Sequence, residues 1–149
     1  MSEIADRVAV IREQMAKAAA QAGRAENEVK LLAATKMNDA QRVRQAIAAG
    51  VDICGENRVQ ELQEKNAQGA YEGCPLHFIG HLQKNKAKFL VGTVELIHSV
   101  DSVELMQTID RLARQKALVQ DILVEVNIGG EEAKSGIVPE AADEMAARM

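Results

Sequence analysis

Lys36 is the residue whose type and position in this sequence point most directly to chemistry. It closes the apolar run from Leu31 to Thr35, and the helix-starting residues Asn38 and Asp39 follow it closely. An amine that is desolvated at the end of a buried strand loses part of its preference for the charged form, and it then acts as a nucleophile toward aldehydes. The alternative is a lysine that only reaches into solvent. For Lys36 taken alone this alternative is favoured, so the rest of the sequence has to decide.

Polar side chains also follow the other apolar runs of the chain. The runs lie at 31–35, 51–54, 76–79, 94–100 and 122–128, and each is rich in β-branched or aliphatic residues. The polar residues at or just beyond their ends are Lys36, Glu56, Asn57, His81, Gln83, His98, Ser99 and Asn127. Because the carboxyl ends of parallel strands meet at one edge of a sheet, where α/β proteins bind ligands, these residues are predicted to share a rim.

Helical segments separate the apolar runs. An apolar stripe near the start of the chain predicts an N-terminal helix over residues 2–22. Further on, Asn38, Asn57 and Asp101 each stand three residues before an amide or an acid, which predicts that they cap helices. Repeated β-α units demand a parallel sheet with right-handed crossovers, and the absence of a GxGxxG loop favours a TIM-like barrel over a Rossmann sheet.

The predicted fold class is α/β, a TIM-like (β/α) barrel with about five of its eight β-α units present. Residues 1–149 are expected to form a single partial barrel domain, with β-α units from residue 31 onward. The segment from Pro139 onward carries no stop signal, so the chain is expected to be cut inside a helix. A sheet that ends at its fifth strand leaves an edge exposed, and self-association through that edge is expected.

Composition narrows the classes of function. A formal net charge of -4 over 149 residues and an aromatic content of 2% argue against a nucleic-acid partner. No apolar stretch approaches the length of a membrane span and no signal peptide is recognisable, so no membrane contact is predicted and the protein is expected in the cytoplasm. Cys54 and Cys74 form no CxxC pair, and we interpret them as two reduced, buried thiols rather than a redox or metal site.

The three histidines have different interpretations. Strand alternation favours a structural role for His77, whereas His81 lies beyond the strand at the rim, where it can touch a ligand. His98 fits either role. No HxH, HExxH or paired Cys/His spacing occurs, so no metal site is predicted.

Two further charged groups are ambiguous. Glu56 can act as a base, but a glutamate at a helix start is also stabilised by the helix dipole, and that structural role is favoured. Lys134 lies in the glycine-bounded loop 129–136, which either closes over a ligand or is an ordinary solvated loop; the second interpretation is favoured. The basic stretch 83–88 is predicted to begin a helix, and it is interpreted as a solvated face, with attraction of an anion as the alternative.

Five segments of the sequence together carry a resemblance to a known family. They lie at 31–36, 55–61, 77–86, 98–102 and 126–136. In this combination, and above all in HFIGHLQ at 77–83 and HSVDS at 98–102, the chain resembles the pyridoxal phosphate homeostasis proteins, the YggS-like family. That family is similar to the barrel domain of alanine racemases without its second domain.

The resemblance implies pyridoxal 5'-phosphate (PLP) as the cofactor, held as an internal aldimine on Lys36. It also implies that Asn57 and His81 lie beside the cofactor ring, with Ile79 and Gln83 as further neighbours. Lys134 matches a family lysine in a loop near the site, and we expect it to assist loading or release of the cofactor. No residue is assigned a catalytic role.

The implied function is cofactor homeostasis, in which the protein binds PLP reversibly and delivers it, with apo PLP-dependent enzymes as candidate partners. The alternative is a racemase-like PLP enzyme, which needs a second acid/base group, commonly a tyrosine from a second domain. The single tyrosine, Tyr71, is predicted to lie in a connection after a helix rather than on the rim. A third hypothesis is a barrel fragment kept as an interaction module, and it predicts an unreactive Lys36.

The sequence departs from the family at two places. Thr35 stands where the family often has serine, and Met37-Asn38-Asp39 replaces a Lys-Pro pair, so Lys36 lacks a neighbouring cation that would favour its neutral form. The family's phosphate-binding residues after strands 7 and 8 have no counterpart here. The chain is therefore expected to hold the aldehyde end of the cofactor without its main phosphate anchor.

Overall fold

The computed structural model describes residues 2–149. It contains five α-helices: α1 (Glu3–Gln21), α2 (Ala40–Ala48), α3 (Val59–Ala67), α4 (Val103–Gln115) and α5 (Ala142–Ala147). Short 3₁₀ turns lie at Glu26–Glu28, Lys84–Phe89 and Pro139–Ala141. The basic stretch after Gln83 therefore forms a 3₁₀ turn and not the start of an α-helix, which corrects the prediction. Among the residues described, no helix is long and apolar enough to cross a membrane.

Five parallel strands form one sheet in the order of the chain, from β1 to β5. They are β1 (Leu32–Ala34), β2 (Ile53–Glu56), β3 (Leu76–Phe78), β4 (Leu96–Val100) and β5 (Asp121–Val124). The predicted α/β class and the parallel β-α order are confirmed. Sequential parallel pairing is the strand order of a (β/α) barrel, and it leaves β1 and β5 as the two edges of this sheet.

The fifth strand is shorter than predicted. It ends at Val124, whereas the apolar run continues to Ile128. Beyond the strand, Val126 bridges to Ile137, with the N–H of Asn127 donating to the carbonyl of Ile137 over 2.8 Å. The segment after β5 thus makes its backbone hydrogen bonds with Ile137.

Three predicted helix caps lie one residue too early. The carboxylate of Asp39, not Asn38, accepts from the N–H of Arg42 over 2.8 Å at the start of α2. Ser102 rather than Asp101 caps α4, and α3 begins after Arg58 with no side-chain cap, so Asn57 is not a cap. A capping residue has extended backbone and lies directly before the first helical turn. The residues with this conformation are Asp39, Arg58 and Ser102, each one position after the predicted cap.

The two faces of the sheet differ in cover. The helix-side face carries Cys54, Glu56, Phe78 and Ile97, all fully buried. The open face carries Leu32, Gly55, His77, Ile79 and His98, most of them half-buried. On this face, at the edge of the sheet, Leu123 is 48% exposed. The main core therefore lies between the sheet and its helices, and the other side of the sheet is accessible.

Candidate functional site

The carboxyl ends of β1, β2 and β3 form one rim, and Lys36 stands on it. The strand ladder continues past the regular strands, since the N–H of Thr35 donates to Gly55 and the N–H of Ile79 donates to Glu56, each over 2.9 Å. Lys36 follows directly and is exposed. The expectation that burial desolvates this amine is therefore wrong for this structure: the lysine reaches into solvent, while its backbone is fixed.

Two side chains of α3 hold the peptide groups on both sides of Lys36. The ammonium of Lys65 donates to the carbonyl of Thr35 over 2.7 Å, and the carboxylate of Glu61 accepts from the N–H of Met37. Lys65 and Glu61 also pair with each other at 2.7 Å. Met37 has φ 60, a left-handed conformation that costs an ordinary residue about 1 kcal/mol or more. These contacts keep the turn at Lys36 in one conformation.

Glu56 lies behind this turn, at the centre of a buried polar cluster. One carboxylate oxygen accepts from the hydroxyl of Thr35 (2.6 Å), the ammonium of Lys65 (2.7 Å) and the hydroxyl of Tyr71 (2.9 Å). Glu56 is the last residue of β2 and points to the helix-side face, so its predicted place at a helix start, stabilised by the helix dipole, is wrong. Its charge is compensated by Lys65, which is itself almost fully buried.

Tyr71 lies in the predicted connection after α3, and its buried side chain belongs to this cluster. Burial, followed by its hydrogen bond to Glu56, raises the pKa of the Tyr71 hydroxyl well above its ordinary value. The hydroxyl therefore keeps its proton and donates it in the hydrogen bond to Glu56. The sequence suggested this cluster only weakly: the Glu61 and Lys65 spacing of one helical turn reads equally well as a solvated ion pair.

Asn57 comes next on the rim, after β2. It is half-buried, and its side-chain oxygen is buried with no hydrogen-bond partner among the described residues. The backbone of Gly80 passes so close that a Cβ there would lie 2.1 Å from the carbonyl oxygen of Asn57. Only glycine allows this approach, which brings the segments after β2 and β3 together.

The remaining predicted site residues are spread around this centre. Ile79 is half-buried on the open face, near Gly55. His81 is exposed, with Nδ1 3.6 Å from the carboxylate of Asp101. Gln83 is exposed at the start of the 3₁₀ turn Lys84–Phe89. The fold thus puts Lys36, Asn57, Ile79 and His81 on the ends of three neighbouring strands, with Gln83 further along.

Lys134 lies elsewhere, in the loop after β5 at the far edge of the sheet. It is exposed and pairs with Glu131 at 3.2 Å. This loop is also tied down by Asn127, whose side-chain amide donates to the carbonyl of Glu131 over 2.9 Å. Among the described residues Lys134 makes no contact with the rim of β1 to β3, and its predicted role in loading stays a prediction.

His77 and His98 form a pair on the open face. Nδ1 of His77 lies 2.9 Å from Nε2 of His98, so one ring donates a hydrogen bond to the other. Burial lowers the pKa of both imidazoles, and for His77 the neighbouring His98 lowers it further, while Glu95 opposes the shift. Within residues 2–149 no cluster of three or more His, Cys, Asp or Glu side chains could hold a metal ion.

The arrangement supports capture of a small aldehyde. An exposed primary amine stands on a turn fixed from behind, and an unsatisfied amide oxygen (Asn57) and an imidazole (His81) follow the two adjacent strands. The residues present therefore fit the aldehyde side of a cofactor such as PLP. Among the rim residues described here, no group of side chains is gathered as a phosphate anchor.

Comparison with known proteins identifies the family of this chain. Residues 7–149 match the family described as alanine racemase, N-terminal domain. The pyridoxal phosphate homeostasis protein of Aquifex aeolicus is 43% identical over 140 residues, which cover 94% of this chain and 61% of that protein. The protein of the same name from Escherichia coli K12 is 33% identical over the whole chain and 65% of its own length. This chain therefore spans less than two thirds of the length of these relatives.

Solved structures show the same fold. PipY of Synechococcus elongatus, solved with PLP bound, superposes with a TM-score of 0.82 at 31% identity, covering 98% of this chain and 63% of that one. A protein from Bifidobacterium adolescentis reaches a TM-score of 0.86 at 39% identity, covering 97% of this chain and 62% of its own. A structure called CdALR, at 16% identity and a TM-score of 0.69, shares the fold alone.

Proposed function

Since this chain belongs to the alanine racemase N-terminal domain family, we propose that it binds PLP through Lys36 and serves PLP homeostasis. The observation that carries the proposal is the position of Lys36: an exposed amine on the rim, whose two flanking peptide groups are held by the side chains of Lys65 and Glu61 of α3. The relatives named for PLP homeostasis and the PLP-bound PipY support the choice of aldehyde.

Each residue of the proposed site has a distinct role. PLP, when bound, supplies an aldehyde that an amine can capture and release reversibly. Lys36 provides that amine, and the fixed backbone lowers the entropy lost when it is ordered against a ligand. The free amide oxygen of Asn57 accepts a hydrogen bond from the ligand, and His81 borders the ring from the end of β3. Ile79 provides an apolar contact, and Gln83 a polar one further out.

The relatives named for PLP homeostasis are longer than this chain. We propose that this protein holds PLP in the cytoplasm and passes the cofactor to apo PLP-dependent enzymes. Binding of the phosphate is expected to be weak when only the residues of this chain take part, because their rim offers an amine, an amide and an imidazole but no cluster of phosphate ligands in the described part.

The racemase alternative requires a second acid/base group opposite Lys36. The single tyrosine of the sequence, Tyr71, is buried and donates to Glu56. It therefore has no free path to a substrate proton. A loaded protein that does not exchange the α-proton of an amino acid with deuterated solvent is the expected result, and exchange that depends on Lys36 would favour the racemase.

The central test is chemical trapping of PLP on the intact chain. Adding PLP should produce visible absorbance, and borohydride should then fix the cofactor on Lys36. Trypsin does not cleave after a modified lysine, so the adduct should appear in one peptide running from Leu31 to Arg42. We expect Lys36→Ala to lose this adduct completely, because no other amine stands on the same fixed turn.

Lys84→Ala is the matched control, since Lys84 is an exposed lysine just beyond the rim, in the 3₁₀ turn after β3. It should retain the adduct on Lys36. Labelling spread evenly over many lysines, unchanged in Lys36→Ala, would contradict the proposal and favour an interaction module.

A further inference from the structure

Cys54 and Cys74 are in contact in the folded chain although they lie far apart in sequence. Their sulfur atoms are 3.7 Å apart. The N–H of Cys54 donates to the carbonyl of Pro75 over 2.9 Å, so the backbone holds the two residues beside each other. Both are free thiols. A disulfide has its sulfur atoms about 2.05 Å apart, so forming one requires this contact to shorten.

The two thiols differ in access. Cys54 is fully buried on the helix-side face, whereas Cys74 is half-buried and lines a surface cleft together with Glu72, Thr93 and Glu95. The interpretation of both as buried thiols thus holds for Cys54 alone. An oxidant from solvent reaches Cys74 first.

We propose that Cys54 and Cys74 are a modification site, at which a hydroperoxide oxidises the pair to an intramolecular disulfide. In the first step the sulfur of Cys74 attacks one peroxide oxygen, the O–O bond breaks, and Cys74 becomes a sulfenic acid while one water or alcohol leaves. In the second step the sulfur of Cys54 attacks the sulfenic sulfur, the S–O bond breaks, and the hydroxide takes the proton of Cys54 and leaves as water. Two thiols are oxidised and one peroxide is reduced.

The order of the two steps follows from burial. Desolvation, followed by the neighbouring Cys74 and Glu56, raises the pKa of Cys54 to about 12, so its thiol rarely ionises and cannot be the first nucleophile. The sulfur of Cys54 can still attack a sulfenic acid on the neighbouring Cys74 and so form the disulfide. The bond closes a loop that contains α3, the helix whose Glu61 and Lys65 hold the Lys36 turn.

Mass spectrometry on the intact chain tests the proposal. After treatment with hydrogen peroxide, blocking of free thiols and tryptic digestion without reductant, the peptides 45–58 and 66–84 should be found joined. The joined pair should be about 2 Da lighter than the sum of its thiol forms, and dithiothreitol should separate it. Both thiols should disappear together.

Single variants give the controls. Cys54→Ala should leave Cys74 as a sulfenic acid that a dimedone probe captures. In Cys74→Ser, oxidation of Cys54 should slow by roughly tenfold or more, because the buried thiol lacks its exposed partner. Sulfinic acid at Cys74 in the wild type with Cys54 left as a thiol would overturn the proposal, and so would disulfide-linked dimers on a non-reducing gel.

Discussion

The helix-side face and the open face of the sheet hold their polar groups in different ways. On the helix-side face, Glu56 is fully buried and accepts three hydrogen bonds, one of them from the ammonium of Lys65. On the open face, His77 and His98 share one hydrogen bond between neutral rings. The helix-side face thus pairs opposite charges in a buried layer, whereas the open face pairs neutral donors and acceptors near solvent.

This difference shows that the side chains proposed to meet a ligand are not the ones that hold the structure around them in place. The groups proposed to meet a ligand, Lys36 and His81, are exposed and make few contacts. Their positions are set by residues behind them that a ligand does not touch. A change on the helix-side face should therefore disturb both stability and the site, whereas a change of similar size in an exposed segment away from the rim should disturb neither.

The largest effect is expected for Lys65→Met, which removes the ammonium and keeps most of the side-chain volume. Glu56 would be left as a buried, uncompensated carboxylate, and the expected loss of unfolding free energy is about 3–5 kcal/mol. Urea denaturation measures this loss. Trapping of PLP on Lys36 should also fall, because the carbonyl of Thr35 loses its partner.

Lys134→Met is the matched control, because the ion pair of Lys134 with Glu131 is exposed. It should change stability by less than about 0.5 kcal/mol. Equal losses in the two variants would remove the distinction between buried and exposed charges on which the comparison depends.

A smaller effect is expected from adding one methyl group at the rim. In Gly80→Ala the new Cβ would meet the backbone of Asn57 at 2.1 Å, and backbone cannot rotate away. The variant should lose about 1–3 kcal/mol or more, as overpacked sites do, and should trap less PLP because the segments after β2 and β3 are forced apart.

Gly55→Ala tests the same addition on the open face. Its Cβ would meet only the ends of two side chains, Leu32 at 2.7 Å and Ile79 at 2.9 Å. These half-buried side chains can turn toward the uncovered side, so the loss should be clearly smaller than in Gly80→Ala. A larger loss at Gly55 would mean that the open face is packed more rigidly than its exposure indicates.

The α/β class and the rim could be predicted from the sequence, because apolar runs separated by helical segments require a parallel sheet with polar residues at the ends of its strands. The pattern alone does not separate a barrel from a Rossmann sheet, and the family resemblance favoured the barrel. The Glu56 cluster could not be predicted. Its members come from two strand ends, a helix and a loop, and Lys65 looks like any solvated lysine of an amphipathic helix. The contact of Cys54 with Cys74 was missed for the same reason: it depends on the register of β2 against β3.

The same limit applies to the exposure of Lys36. A lysine after an apolar run is predicted at a strand end, but whether its amine is buried depends on what covers the rim. The helix caps were missed by one residue for a related reason. Asn38 and Asp39 are both good capping residues, and the backbone conformation, which the sequence does not show, makes Asp39 the cap.

The smallest effect concerns pH and the open face. Because burial lowers the pKa of His77 and His98 in the folded chain, the unfolded chain binds protons more readily near the ordinary histidine value of 6.5. Stability from this pair is fully present above that value and is lost as the pH falls through the lowered pKa values. The urea midpoint should therefore be flat between pH 7 and 8 and decline below about 6.5.

His98→Gln should flatten that decline, since it removes one of the two titrating rings and keeps a group able to hydrogen-bond with His77. His81→Gln, which changes an exposed ring outside the pair, is the control and should keep it. Carboxylates with lowered pKa, such as Asp52 and Glu61, titrate at lower pH, below their ordinary values of 3.8 and 4.5, and so do not produce the decline. If the decline persists unchanged in His98→Gln, the pH sensitivity does not come from the hydrogen-bonded pair of His77 and His98.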